Sequence, residues 1–95
     1  MDTVEIKNKI INVLNELFSE AGVDKDILEY VDLVDDLGMD SINFVSIIIE
    51  LETLFDVQIP DDWMLIERFR SYSLIYSAIV KLLIQKETED ISGEQ

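Results

Sequence analysis

Cysteine and histidine are both absent from the 95 residues. Without cysteine there is no disulfide framework, no thiolate nucleophile and no zinc-finger ligand set. Without histidine the chain lacks the usual general base and the commonest transition-metal ligand. Basic residues are scarce, 7 against 21 acidic ones, for a net charge of −14 and a pI near 4.1. That balance argues against nucleic acid, whose phosphates would repel the chain, and against anionic membrane surfaces. Partners with basic patches are the natural expectation, although acidity also serves plain solubility. No apolar run approaches the length of a membrane span, and Met1-Asp2-Thr3-Val4-Glu5 lacks the basic-then-apolar pattern of a signal peptide. The expectation is a soluble cytoplasmic protein with no membrane span.

What is present is apolar and periodic. A hydrophobic content of 48% supports one small folded domain with a modest core, and the chain as a whole is not a disordered acidic segment. Residues 3–20 read as a first helix, with Ile6, Ile10, Val13, Leu14, Leu17 and Phe18 on one face, Asp2 or Thr3 as cap and Gly22 just past the end. Between Val23 and Met39 no clean period holds. Eight acids lie from Glu20 to Asp40 with only Lys25 opposing them, so this is a long loop, pinned by Leu33 and Leu37, with a short helical turn near Asp24–Leu28. Its acids invite a calcium reading. An EF-hand with Gly38 at the sixth place would need ligands from Leu33, Leu37 and Phe44, which have none to give, so that motif is rejected.

The stretch Asp36-Leu37-Gly38-Met39-Asp40-Ser41-Ile42 organises the rest. It runs an acidic, glycine-bearing turn into a helix whose inner face is Phe44, Ile47, Ile48, Leu51, Leu54 and Phe55. Asp40 suits the N-cap, which puts Ser41 in the first turn with its hydroxyl toward water. A second stripe, Ile42, Val45, Ile49 and Glu52, lies about a third of a turn away, and a chain this short has no second core to bury it. Each such side chain left wet forgoes about 1.5 to 3 kcal/mol. Either a partner or acyl group covers the stripe, or the neighbouring loop does. Beyond it, Pro60 stops the helix, Asp61 or Asp62 caps a short third helix near Trp63–Arg68, and Ser71 or Ser73 caps a last helix ending near Lys86. The domain expected is 1–86, followed by a frayed or disordered acidic tail, 87–95.

Ser41 needs a base to act as a nucleophile, and no histidine supplies one. A capping Asp40 should be ionised and is a poor base for a hydroxyl. Ser41 is therefore expected to be modified by an enzyme that brings its own base, and no residue is expected to be catalytic. A phosphodiester there would gain about 0.3 to 1 kcal/mol from the helix N-terminus, too little to select the site without recognition of the surrounding surface.

The segment Leu33 to Ile42, then Glu50-Leu51-Glu52 and Phe55-Asp56-Val57-Gln58-Ile59-Pro60, resembles the acyl carrier protein family in its phosphopantetheine attachment motif and the helix after it. Leu-Gly-x-Asp-Ser alone is moderately specific; with Phe-x-x-x-Ile-Pro at the right distance it becomes strong. The resemblance covers about Ile6 to Ile84. It implies an all-α fold, an antiparallel four-helix bundle with a long first loop and a short third helix. It implies phosphopantetheine on Ser41, next to Asp40, transferred from coenzyme A by a magnesium-dependent phosphopantetheinyl transferase, with acyl or aminoacyl groups held as thioesters on the arm. Asp36, Asp40, Ile42, Val45, Ile49 and Glu52 match family positions that face partner enzymes. Those partners would be a loading ligase or acyltransferase and synthase enzymes with basic docking patches, acting on a monomeric carrier. Ser46 and Thr53 stand where fatty-acid-synthase carriers are often acidic, and the segment from Pro60 to Ser71 is longer than theirs. Both features lean toward a discrete carrier of polyketide, nonribosomal peptide, D-alanine or modified-lipid assembly. A competing reading is an acidic docking module with no prosthetic group, and a weaker one is a serine hydrolase.

Overall fold

The computed structural model describes residues 2–93, the side chains of 89–93 excepted. Three α-helices carry the fold among the described residues: α1 (Thr3–Leu17), α2 (Ser41–Phe55) and α3 (Tyr72–Gly93). No described residue is in a strand. The helices pack on one another around a single core. Ile6, Ile10 and Leu14 of α1 meet Ile47, Ile48 and Leu51 of α2 and Ile75, Ile79 and Leu82 of α3, all buried. Asp2 caps α1, its Oδ1 accepting from the Glu5 amide at 2.8 Å. Gly22 takes the left-handed conformation (φ 70°) after a 3-10 turn, Ser19–Ala21, that extends α1.

The long connection before α2 is more ordered than its acidity suggests. Leu33 is fully buried and Leu37 packs against the core as expected, with Leu28 and Met39 buried beside them. A 3-10 turn spans Lys25–Ile27. Asp32 and Asp36 then wind residues 32–36 on themselves. Asp32 Oδ1 accepts from the amides of Val34 and Asp35 at 2.9 and 2.8 Å, and Asp36 Oδ2 accepts from the Asp32 amide at 2.8 Å. Arg70 clamps this turn from the far end of the sequence. Its Nε donates to Asp32 Oδ2 at 2.9 Å, its Nη2 pairs with Asp35 at 3.2 Å and its Nη1 with Glu67 at 2.9 Å. Its carbonyl also accepts from the Leu33 amide at 2.7 Å.

The Arg70 guanidinium, followed by the Asp35 and Val34 amides, holds the Asp32 carboxyl below its ordinary range. A carboxylate depressed in the folded state stabilises the fold above its unfolded pKa, about 3.9, and the benefit fades as pH falls through the folded value. Arg70→Gln is therefore expected to raise the titration midpoint of the Asp32 carboxyl and to speed amide exchange at Leu33. Following the side-chain carboxyl carbon by NMR checks this, and an unmoved midpoint would contradict the clamp.

Three expectations need correction. The short third helix is instead two separate 3-10 turns, Asp61–Trp63 and Ile66–Arg68, so the bundle has three α-helices among the described residues and not four. Met64 (φ −80°, ψ 61°) sits in an inverse γ-turn closed by the Leu65 amide on the Trp63 carbonyl at 2.8 Å, and Leu65 is extended. The break lets both Met64 and Ile66 pack against the core, whereas one helix would set them about 200° apart. A helix this short also recovers little of its nucleation cost. Leu54, expected on the inner face of α2, is 38% exposed because it lies at that face's edge. The last helix, capped by Ser71 Oγ accepting from the Leu74 amide at 3.3 Å, continues past Lys86 to Gly93. No proline or glycine interrupts it before that residue. Glu94 and Gln95, the end of the segment read as a tail, lie outside the described residues.

Candidate functional site

The entry to α2 is shaped by its own short-range chemistry. Gly38 takes φ 69°, which lets the flanking Leu37 and Met39 both turn inward. A Cβ there would meet nothing within 4 Å, so the glycine is required by backbone conformation, at about 1 to 2 kcal/mol for another L-residue. The chain then straightens at Asp40 (φ −110°, ψ −175°) and closes a reciprocal cap. Asp40 Oδ1 accepts from the Asn43 amide at 2.8 Å, and Asn43 Oδ1 accepts from the Asp40 amide at 3.2 Å. Asn43 was not singled out from the sequence; the Asp-x-x-Asn spacing, a variant of the capping box, is the signal that marks it.

Ser41 is the first residue of α2, is exposed, and its hydroxyl makes no hydrogen bond among the described residues. The Asn43 and Phe44 amides are taken by Asp40, through its carboxylate and its carbonyl. The amides of Ser41 and Ile42 have no acceptor among the described residues and stay available to a phosphate at the positive end of the helix. The first turn of α2 carries no carboxylate of its own. A phosphodiester on Ser41 therefore fits the residues present. A hydrolase does not, since the Asp40 carboxylate is committed to Asn43 and no imidazole exists in the chain. Asp40→Ala removes the cap and is expected to cost about 0.5 to 2 kcal/mol, read as a lower Tm; an unchanged Tm would show that the cap does not hold this entrance.

The partner-facing residues inferred from the sequence divide in two. Ile42, Val45 and Ile49 are 77%, 53% and 56% exposed on one face of α2, with Ser41 at its start. Among the described residues no loop covers them. The acids of the same set each also hold backbone: Asp36 the Asp32 amide, Asp40 the Asn43 amide, and half-buried Glu52 the Ile59 amide at 2.8 Å. That last bond folds the chain back after α2, so that Ile59 is buried. Of the clustered acids before α2, Asp32 and Asp35 pair with Arg70, while Asp36 and Asp40 hold backbone amides.

No described helix is long and apolar enough to cross a membrane. The phosphopantetheine attachment site family matches residues 9–79, a span that contains the clamped loop, the Asp40–Ser41 entrance and all of α2. The chain is similar to an acyl carrier protein of Chlorobium phaeovibrioides, 46% identical over 63 residues that make up 65% of this chain and 77% of that one. The acyl carrier protein of Syntrophobacter fumaroxidans is 40% identical over 63 residues, 65% of this chain and 74% of that protein. A more distant relative of the same name, from Amoebophilus asiaticus, is 28% identical over 82 residues, 86% of this chain and 98% of its own length. The chain belongs to the acyl carrier protein family, whose members are carriers rather than enzymes and whose cofactor is covalently attached phosphopantetheine.

Proposed function

We propose that Ser41 is the attachment point, and that the chain carries acyl or aminoacyl groups as thioesters and presents them to partner enzymes across the exposed face of α2. The observation that carries this reading is the open hydroxyl at the first position of a capped helix, beside two unused amides. When bound, phosphopantetheine supplies the thiol that the chain itself lacks. The chain's own residues fix the rest. Gly38 and Met39 deliver the chain to the helix entrance, Asp40 and Asn43 hold that entrance, and the first-turn amides of Ser41 and Ile42 would receive the phosphate. Ile42, Val45 and Ile49 form the apolar centre of docking, with Asp36, Asp40 and Glu52 as its acidic rim toward basic partners. The carrier domain in this reading is 1–86, in the antiparallel arrangement of the family, with 87–95 outside it.

Within the family, a discrete carrier of a specialised pathway is favoured over bulk fatty-acid synthesis. Half-buried Ser46 and exposed Thr53, whose hydroxyl donates to the Ile49 carbonyl at 2.9 Å, leave α2 less negative. Cargo transfer by a loading ligase or acyltransferase and use by a synthase complete the proposal.

The absence of cysteine makes the test clean. After treatment with a broad-specificity phosphopantetheinyl transferase, magnesium and coenzyme A, the protein is expected to react with one equivalent of a thiol reagent, against none before treatment. Folded, treated protein with no thiol would decide against the carrier reading. The exposed apolar stripe favours one alternative, an acidic docking module that works without an arm. That alternative expects partner binding to survive Ser41→Ala and to be lost with Ile49→Glu.

A further inference from the structure

Cations are few in this chain, and most are occupied. Lys7 pairs with Glu29, Lys9 with Glu5, Lys86 with Asp56 and Arg70 with three carboxylates, while Lys25 donates to the Asn12 amide oxygen. Arg68 and Lys81 alone of the seven make neither an ion pair nor a side-chain hydrogen bond among the described residues. Both line the same groove, a cleft of about 240 Å³ between the Trp63–Phe69 segment and α3. Its apolar surfaces include Trp63, Phe69 and Leu74. The Arg68 guanidinium lies over the Trp63 ring, 5.9 Å from its centroid, which braces that wall and leaves the charge at the rim. Glu67 is the groove's one carboxylate, and Arg70 already holds both of its oxygens, at 2.9 and 3.0 Å.

We propose that this groove is a second docking site, which takes an acidic segment of a partner protein, one apolar side chain inserted between Trp63 and Leu74 and flanking carboxylates paired with Arg68 and Lys81. Charge complementarity selects that occupant. Long-range repulsion from a chain of net charge −14 works against any acidic segment, so only a site with uncommitted cations can hold one. The volume points the same way. Pockets that enclose a whole small-molecule ligand run about 300–1,000 Å³, and this cleft is smaller, sized for one anchor side chain. None of the residues lining the groove belongs to the exposed α2 stripe, and its charge preference is the opposite one. It does not depend on Ser41.

Trp63 is the only tryptophan and reports on the groove directly. The probe is an acetylated, amidated hexapeptide with a central Leu-Phe pair and two Glu on each side. Titration is expected to change Trp63 emission saturably. Reversal at the two exposed positions, Arg68→Glu with Lys81→Glu, is expected to weaken binding on the order of tenfold, from two lost pairs and added repulsion. The milder Arg68→Gln with Lys81→Gln should weaken it less, and far-ultraviolet circular dichroism confirms folding of both. Ser41→Ala should bind as the wild type does, which separates this proposal from the carrier reading. No saturable change with the peptide, a change that the charge reversal leaves intact, or one that Ser41→Ala abolishes would each overturn it.

Discussion

Ser41→Ala is expected to abolish arm installation outright: incubated with transferase, magnesium and coenzyme A, the variant stays at its unmodified mass while the wild type shifts completely. The effect is all-or-none because the reaction needs an oxygen nucleophile at one place; Thr3, the exposed first residue of α1 behind its capping Asp2, lies outside the matched 9–79 segment. Ser46 lies on the same helix but is half-buried, and the Thr53 hydroxyl donates to a helix carbonyl. Stability should barely change, because the Ser41 side chain is exposed and makes no hydrogen bond among the described residues. A loss of loading with an unchanged melting curve thus isolates chemistry from folding. Residual loading of the variant would show that another residue accepts the arm.

The second large effect contrasts two positions on one helix. Leu51 is 0% exposed at the centre of the core, and Leu51→Ala leaves a cavity expected to cost about 2 to 5 kcal/mol. Small domains hold only about 5 to 15 kcal/mol in total, so Tm should fall by about 10 °C or more. Ile49, two residues earlier and more than half exposed, behaves differently. Ile49→Glu should stay within about 0.5 kcal/mol of the wild type yet lower the transferase's kcat/KM on the order of tenfold, as loss of a docking anchor does. Thermal melts and transferase kinetics on both variants check the pair. An Ile49→Glu protein that melts early but loads normally would mean that the outer stripe serves the fold and not a partner.

Much of this was legible in the order of residues because it is local. The period of α2, the Asp40 cap and the turn at Gly38 are each decided within a few residues, and they place Ser41 without reference to the rest of the chain; Pro60 is not what ends α2, which stops at Phe55 with Asp56 left-handed (φ 51°). Leu33 and Leu37 could be read as anchors because apolar side chains in an acidic loop have one place to go. What escaped was reciprocal or distant. The Asn43 half of the cap needed a side chain facing backward to be noticed. The Arg70 clamp joins positions 38 apart, and among so many acids nothing marks which carboxylates it chooses. The third helix failed for another reason: Trp63, Met64 and Ile66 all seek the core, a demand a single short helix cannot meet and two broken turns can. Glu52 was read from its stripe as a rim acid, and the structure adds a second role that the stripe does not reveal: its carboxylate accepts from the Ile59 amide where the chain turns back after α2.

The account stands on an accessible serine oxygen at the mouth of α2. Fragmentation mass spectrometry of the folded wild-type chain after transferase treatment tests it most directly. One phosphopantetheine per chain, localised to Ser41, is the expected result; a folded protein that gains none, or gains it at another residue, would contradict the account.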